Sequence, residues 1–364
     1  MNPQALAATR KGLFPLFYEG GAWRLGAPSF LGDPVTMTLA DARDGALYAA
    51  LNLGHFGVKL RRSRDGGASW QEIAAPAYPP QVEAAPEDKV PWKLVQIWSL
   101  ECGGADEAPG TLWAGTIPGG LFRSEDGGDS WTLVRALWDR SERAEWFGGG
   151  YDQPGIHSIL VDPRASDVVT VGISCGGVWQ TRDRGASWAL RGSGMRAEYM
   201  PPERRDDPNI QDPHRLAQCR AAPDVLWTQH HSNIFRSSDG GAQWREVEGQ
   251  PLSRFGFAVA AHPQEAGTAW FVPAVKDECR VPVDARMAVS RTRDGGRSFE
   301  TIREGLPQSD CYDLVYRHGL DVDASGTRLL IGSTTGGLWA SRDGGSSWQT
   351  VARHLPPIAC VRFV

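Results

Sequence analysis

Eight histidines, a set of loop acids and one glycine-flanked cysteine are the side chains in this 364-residue sequence that could do chemistry. Two histidines follow long connections and open apparent strands, in Gly155-Ile156-His157 and Asp212-Pro213-His214. Two more are adjacent, in Gln229-His230-His231-Ser232-Asn233, where the amides of Gln229 and Asn233 make this the most polar turn of its kind in the chain. Neutral imidazole ligates divalent cations, and near neutral pH it can accept or donate a proton. Neighbouring side chains in an extended segment point to opposite sides, so one of His230 and His231 is expected to face a ligand. Glu203, Asp277 and Glu278 lie on charged loops and could work with these imidazoles. Cys175, in Ser174-Cys175-Gly176-Gly177, is a candidate nucleophile if an imidazole lies beside it. Trp146 and Tyr151, with Trp138, Phe147 and Tyr199, offer ring faces that match the C–H face of a sugar. Each type also has a structural use: loop acids are usually solvated, and loop aromatics pack loops onto a core.

These residues need a scaffold to bring them together, and the sequence repeats one. The pattern S/T-x-D-x-G-x-x-W/F occurs six times, at Ser63–Trp70, Ser124–Trp131, Thr181–Trp188, Ser237–Trp244, Thr292–Phe299 and Ser341–Trp348. Its residues suit a tight turn between two strands. Asp65, Asp126, Asp183, Asp239, Asp294 and Asp343 can accept local backbone N–H groups, and the glycine two places on tolerates positive φ. The pattern resembles the Asp-box, or bacterial neuraminidase repeat, of sialidase-like and sortilin-like β-propellers, and the chain is similar to bacterial proteins called BNR-repeat glycosyl hydrolases. The resemblance implies that the six aspartates are structural and lie away from any ligand.

Short β-branched and aromatic runs between the repeats predict an all-β fold, a single seven-bladed β-propeller of four-stranded blades. The seventh unit is split between the termini. Lys11-Gly12-Leu13-Phe14 parallels Gly119-Gly120-Leu121-Phe122, Trp23 follows at the spacing of Trp131, and Tyr18 stands where the turn aspartate would be. Three N-terminal strands are expected to pair with a final strand, a 1+3 clasp that leaves no open edge. The expected blades are 5–25 with 358–364, 35–74, 93–134, 157–190, 214–247, 256–302 and 312–351, the last opening on a strand at Leu314–Tyr316. If the repeated turn joins the third and fourth strands, the loops between blades and the second-to-third hairpins share one upper face. That face would receive His55, His157, His214, His230, His231 and His354, together with the long connections 135–155, 191–213 and 75–91 and the hairpin 275–288.

With 38 basic and 43 acidic residues and no run of like charge, nucleic acid and anionic membranes are not expected partners. No apolar stretch approaches the ~18 residues of a membrane helix and the first residues do not read as a signal peptide, so a cytoplasmic protein is expected. Six cysteines, Cys102, Cys175, Cys219, Cys279, Cys311 and Cys360, show no metal-ribbon spacing and fit a reduced compartment.

Three functions fit this scaffold. One is a glycosyl hydrolase-like propeller whose histidine-rich upper pocket takes a small polar or carbohydrate-like ligand. Sialidases that resemble it carry an N-terminal F/Y-R-I-P segment, and here Thr9-Arg10-Lys11-Gly12-Leu13-Phe14-Pro15 departs from it, so sialidase activity is not expected. A second is a non-catalytic interaction or assembly propeller with a protein partner on the upper face. A third is a metal-dependent lyase or hydrolase in which His55, His157, His214 and His230 hold a divalent ion.

Overall fold

The computed structural model describes residues 2–81, 90–149 and 151–364, so part of the expected 75–91 connection and Gly150 lie outside the described residues. Seven four-stranded antiparallel sheets follow one another along the chain as the blades of a β-propeller. By contacts the chain divides into two compact units, Met1–Thr38 with His214–Val364, and Leu39–Pro213.

The first unit holds the clasp. Strand Ile358–Phe363 pairs antiparallel with Ala5–Thr9, Ala7 opposite Val361, and Gly12–Glu19 and Ala22–Leu25 complete the sheet. Ala5, Ala7, Leu16, Trp23, Ile358 and Val361 bury together with Leu330 and Leu338 of the last blade. In that blade the strand order is Leu320–Val322, Leu329–Gly332, Leu338–Ser341 and Gln349–Ala352. The first strand is therefore not Leu314–Tyr316 as expected: Leu314 instead buries against Phe255, Phe257 and Ala274, which keeps that stretch in the loop.

In the second unit, Val169–Ile173 and Leu112–Ile117 are buried along their whole length. Second strands are flanked on both faces, which explains why they read as continuous apolar runs rather than alternating ones. The long connection after residue 134 carries a helical turn at Arg135–Trp138 and a 3-10 turn at Ser141–Glu145, and Leu137 and Trp146 join the core of this unit.

The repeated turn joins the third and fourth strands in six blades. At Thr181 the hydroxyl donates to Asp183 Oδ1 (2.7 Å) and accepts from Gly185 N (2.9 Å), while Ser187 donates its N–H to Oδ1 and its hydroxyl to Oδ2. Gly185 has φ of 93°, a conformation that disfavours any side chain. These local bonds hold the carboxyl of Asp65, Asp183 and Asp294 down to about 2, chiefly through the serine four residues on. A carboxylate that is fully engaged and ionised in this way is a turn brace, poorly suited to proton transfer.

Candidate functional site

Within the first unit, polar and aromatic side chains converge at the starts of two neighbouring inner strands, Pro213–Gln218 and Gly256–Ala261. His214 is buried, and its Nδ1 lies 2.6 Å from the carbonyl of Gly256. A carbonyl only accepts, so Nδ1 carries the proton in this bond. Gly256 suits this bond because a Cβ there would lie 2.7 Å from Val272 O, and because a register shift between Gly256 and Val259 breaks the regular ladder. Phe257 stacks on the His214 ring with centroids 4.4 Å apart and planes 16° apart, and Phe255 meets the same imidazole edge-on at 5.7 Å.

His231 completes the group from the polar hairpin, 5.3 Å from His214 and 5.8 Å from Phe255 between centroids. His230 takes the opposite side. Its Nδ1 accepts from Ser232 N at 3.0 Å and its ring meets Phe235, so it braces the hairpin. Gln229 donates to the carbonyls of Arg254 and His230, and Asn233 accepts from Arg254, so both amides fix the loop that leads into Phe255. Around Phe257 stand Tyr316, at 5.0 Å edge-on, and the guanidinium carbons of Arg280 and Arg317, each 5.4 Å from the ring centre. Arg280 is paired with Asp277 at 2.5 Å, and Glu278 lies 3.6 Å from Lys276. Tyr312 and Tyr316 remain exposed.

The second unit holds its own arrangement. His157 is buried, 2.9 Å from Ser158 Oγ, and meets Trp98 edge-on; Trp98 in turn meets Tyr151, whose hydroxyl reaches Gln96. Trp146 is a core residue packed on Trp179, with its indole N–H donated to Asn209. Cys175 is buried with φ of 46°, and its N–H and the Ser174 hydroxyl both donate to Asp212 Oδ1. Burial, with Asp212 and Cys175 beside it, pushes the Tyr199 hydroxyl well above its ordinary value. Glu203 is exposed on the turn Pro202–Arg204, and His55 is exposed on Gly54–Phe56 against Phe56.

Within the first unit, His214 and His231 have metal-ligand geometry, their donor atoms lying within 4.8 Å of each other. Of the four imidazoles expected around an ion, His214 belongs to this group, whereas His55, His157 and His230 have the separate surroundings given above.

Phe255, Phe257, Tyr316 and Arg317 were not among the expected site residues. Phe255-Gly256-Phe257 does occupy the strand-start position of Ile156-His157 and Pro213-His214, so the position was informative where the residue type was not.

No family model matches the chain. A stretch of 78 residues, 21% of this chain and 8% of the relative, is 36% identical to an oligoxyloglucan-reducing end-specific xyloglucanase of Emericella nidulans. Among solved structures, the GH74 xyloglucanase of Xanthomonas campestris is similar over 96% of this chain and 52% of its own, at a TM-score of 0.65 and 18% identity. YCF48 bound to a D1 peptide is similar over 96% of this chain and 84% of its own, at a TM-score of 0.52 and 14% identity. The chain thus spans about half the length of that xyloglucanase and a small part of the curated relative. At these identities the solved structures establish the fold alone, a β-propeller. No helix among the described residues is long and apolar enough to cross a membrane.

Proposed function

We propose that this propeller binds a carbohydrate-like ligand over the cluster of His214, His231, Phe257 and Tyr316. The observation that carries the reading is the stack of His214 on Phe257 with the imidazole locked in one tautomer. The exposed ring of Tyr316, beside Phe257, supplies the apolar surface a sugar ring packs on, and His214 Nε2, with His231, supplies hydrogen bonds to hydroxyls. The similarity to xyloglucanases supports a saccharide as the ligand class.

Binding rather than hydrolysis is the better supported half of this reading. Glycoside hydrolysis requires two carboxyl groups about 5–9.5 Å apart across the scissile bond. In the first unit, Asp277 is committed to Arg280, and Asp313 accepts from Ser333, Thr335 and the Cys311 thiol.

Calorimetric titration with xyloglucan and cello-oligosaccharides tests the proposal. Wild type is expected to bind, and His231→Ala to bind about tenfold more weakly, the equivalent of one hydrogen bond of ~1.4 kcal/mol. Equal affinity in the two proteins, or no binding across the panel, overturns it.

A second reading, a divalent cation held with His214 and His231 as ligands, is favoured by their donor atoms lying within 4.8 Å of each other. Titration with zinc separates it: ligation calls for saturable binding that releases protons and is lost in His214→Ala.

A further inference from the structure

A cavity of about 560 Å³ lies at the outer strands of the last blade, beside Tyr18 of the first, lined in part by Tyr18, Arg328, Ala340, Arg342, Asp343 and Trp348. It lies where one repeat carries its shortest side chain. The residue just before the Ser or Thr of each repeated turn is Arg62, Arg123, Gln180, Arg236, Arg291 and Ala340 in chain order. Where it is arginine it can plug the space against the next turn. Arg62 donates to Gly127 O at 3.0 Å, Arg291 donates to Gly344 O at 2.6 Å and to Ser346 Oγ at 2.9 Å, and Arg236 rests against Gly295. Ala340 is too short to reach, and the blade it faces carries Tyr18 where the others carry the turn aspartate.

The charged side chains lining this space are two guanidinium groups and one carboxylate. Arg342 gives Nη1 to Tyr18 Oη (2.6 Å) and to Gly21 O (3.0 Å), which makes the tyrosine oxygen an acceptor and leaves its own hydrogen to be donated onward. The guanidinium carbon of Arg328 stands 5.3 Å from the Tyr18 ring centre, and its nearest carboxylate, Asp323, is 4.0 Å away, beyond hydrogen-bond range. Asp343, the one acid in the lining, already accepts from Ser341 Oγ, Ser347 N and Ser347 Oγ. Two guanidinium groups and a phenol, facing a carboxylate whose oxygens are engaged, complement an oxyanion. The volume falls in the ~300–1,000 Å³ range of small-molecule sites, larger than a bare ion needs.

We propose that this cavity binds the oxyanion of a small molecule, a phosphoryl or carboxylate group held by Arg328, Arg342 and the Tyr18 hydroxyl. It is separate from the imidazole cluster and does not depend on the function proposed for it.

The test is the thermal midpoint in sodium phosphate, sodium acetate and sodium chloride at matched ionic strength, since a ligand that binds only the native state raises the midpoint. Wild type is expected to be stabilised in phosphate or acetate over chloride, with the responding salt naming the group. Ala340→Arg, which installs the plug used in other blades, is expected to abolish the shift. Arg342→Ala, a change at an exposed side chain, is expected to raise the salt concentration for half-maximal shift by about tenfold. Should wild type show no shift, or should both variants shift as wild type does, the site is refuted. Arg342→Ala keeps the test decisive if Ala340→Arg does not fold.

Discussion

Replacing His214 with phenylalanine separates the two jobs assigned to its ring. A phenyl group keeps the shape that stacks on Phe257 at 4.4 Å and meets Phe255, so the apolar packing is retained. What is lost is the Nδ1–H that donates to Gly256 O at 2.6 Å, in a residue only 2% exposed. A buried carbonyl left without its donor costs about 1–3 kcal/mol, so the midpoint of urea unfolding should fall by that amount divided by the m-value, with m itself unchanged. Ligand affinity should fall by a further, separate factor of about ten, because Nε2 can no longer accept from a hydroxyl. Equilibrium unfolding and oligosaccharide titration on the same preparation measure the two losses independently. If stability is unchanged, the tautomer argument is wrong; if His214→Phe binds saccharide as wild type does, the cluster is not the ligand site.

Three further outcomes are expected. Thr181→Val keeps the shape of a side chain 1% exposed but strips a hydrogen bond from Asp183 and leaves Gly185 N–H without an acceptor, so a loss of about 2–4 kcal/mol in urea unfolding is expected; a change near zero would show that the turn is held by glycine geometry alone. Asp321, whose carboxyl is pushed up by burial although Arg362 and the Phe363 N–H pull the other way, favours the protonated form in the folded state, so its contribution to stability is present at low pH and is lost as pH rises through the folded pKa. Asp321→Asn should therefore flatten the fall of unfolding free energy between pH 4 and neutrality, a comparison made by urea unfolding across that range, and parallel profiles would refute the assignment. Burial holds the thiols of Cys311 and Cys360 up at about 12 and about 11, whereas Cys279 is exposed. At pH 8 a thiol reagent should label Cys279 first and leave the other two until the protein unfolds, which peptide mapping by mass spectrometry would read.

The architecture was legible because each repeated turn states its own geometry in residue types. Asp and Gly at fixed places give the turn, and the turn counts the blades. Even the blade that lost its aspartate could be found from Leu13, Phe14 and Trp23, since its packing demands survived. The site was less legible for a physical reason. His214 and His231 announced themselves as polar residues at strand starts and hairpins, but the cluster they form is completed by Phe257 and Tyr316, which in sequence look like any core or loop aromatic. His230 and Trp146 have the composition of ligand contacts and serve as a hairpin brace and a core residue, because the direction of a side chain is set by register and packing that residue type alone does not reveal. Leu314–Tyr316 illustrates the same limit, since an apolar run becomes a strand only where a partner strand is free to pair with it.

The pairing of Ala5–Thr9 with Ile358–Phe363 also orders events during synthesis. The strands from Ala5 to Leu25 are made before their partner Ile358–Phe363 and expose an unpaired edge until the six intervening blades have been translated. Ring closure is thus a late, non-local step, of the kind that slows folding and leaves nascent chains open to mispairing. A cell that makes this protein must keep that waiting edge covered while the intervening blades are translated.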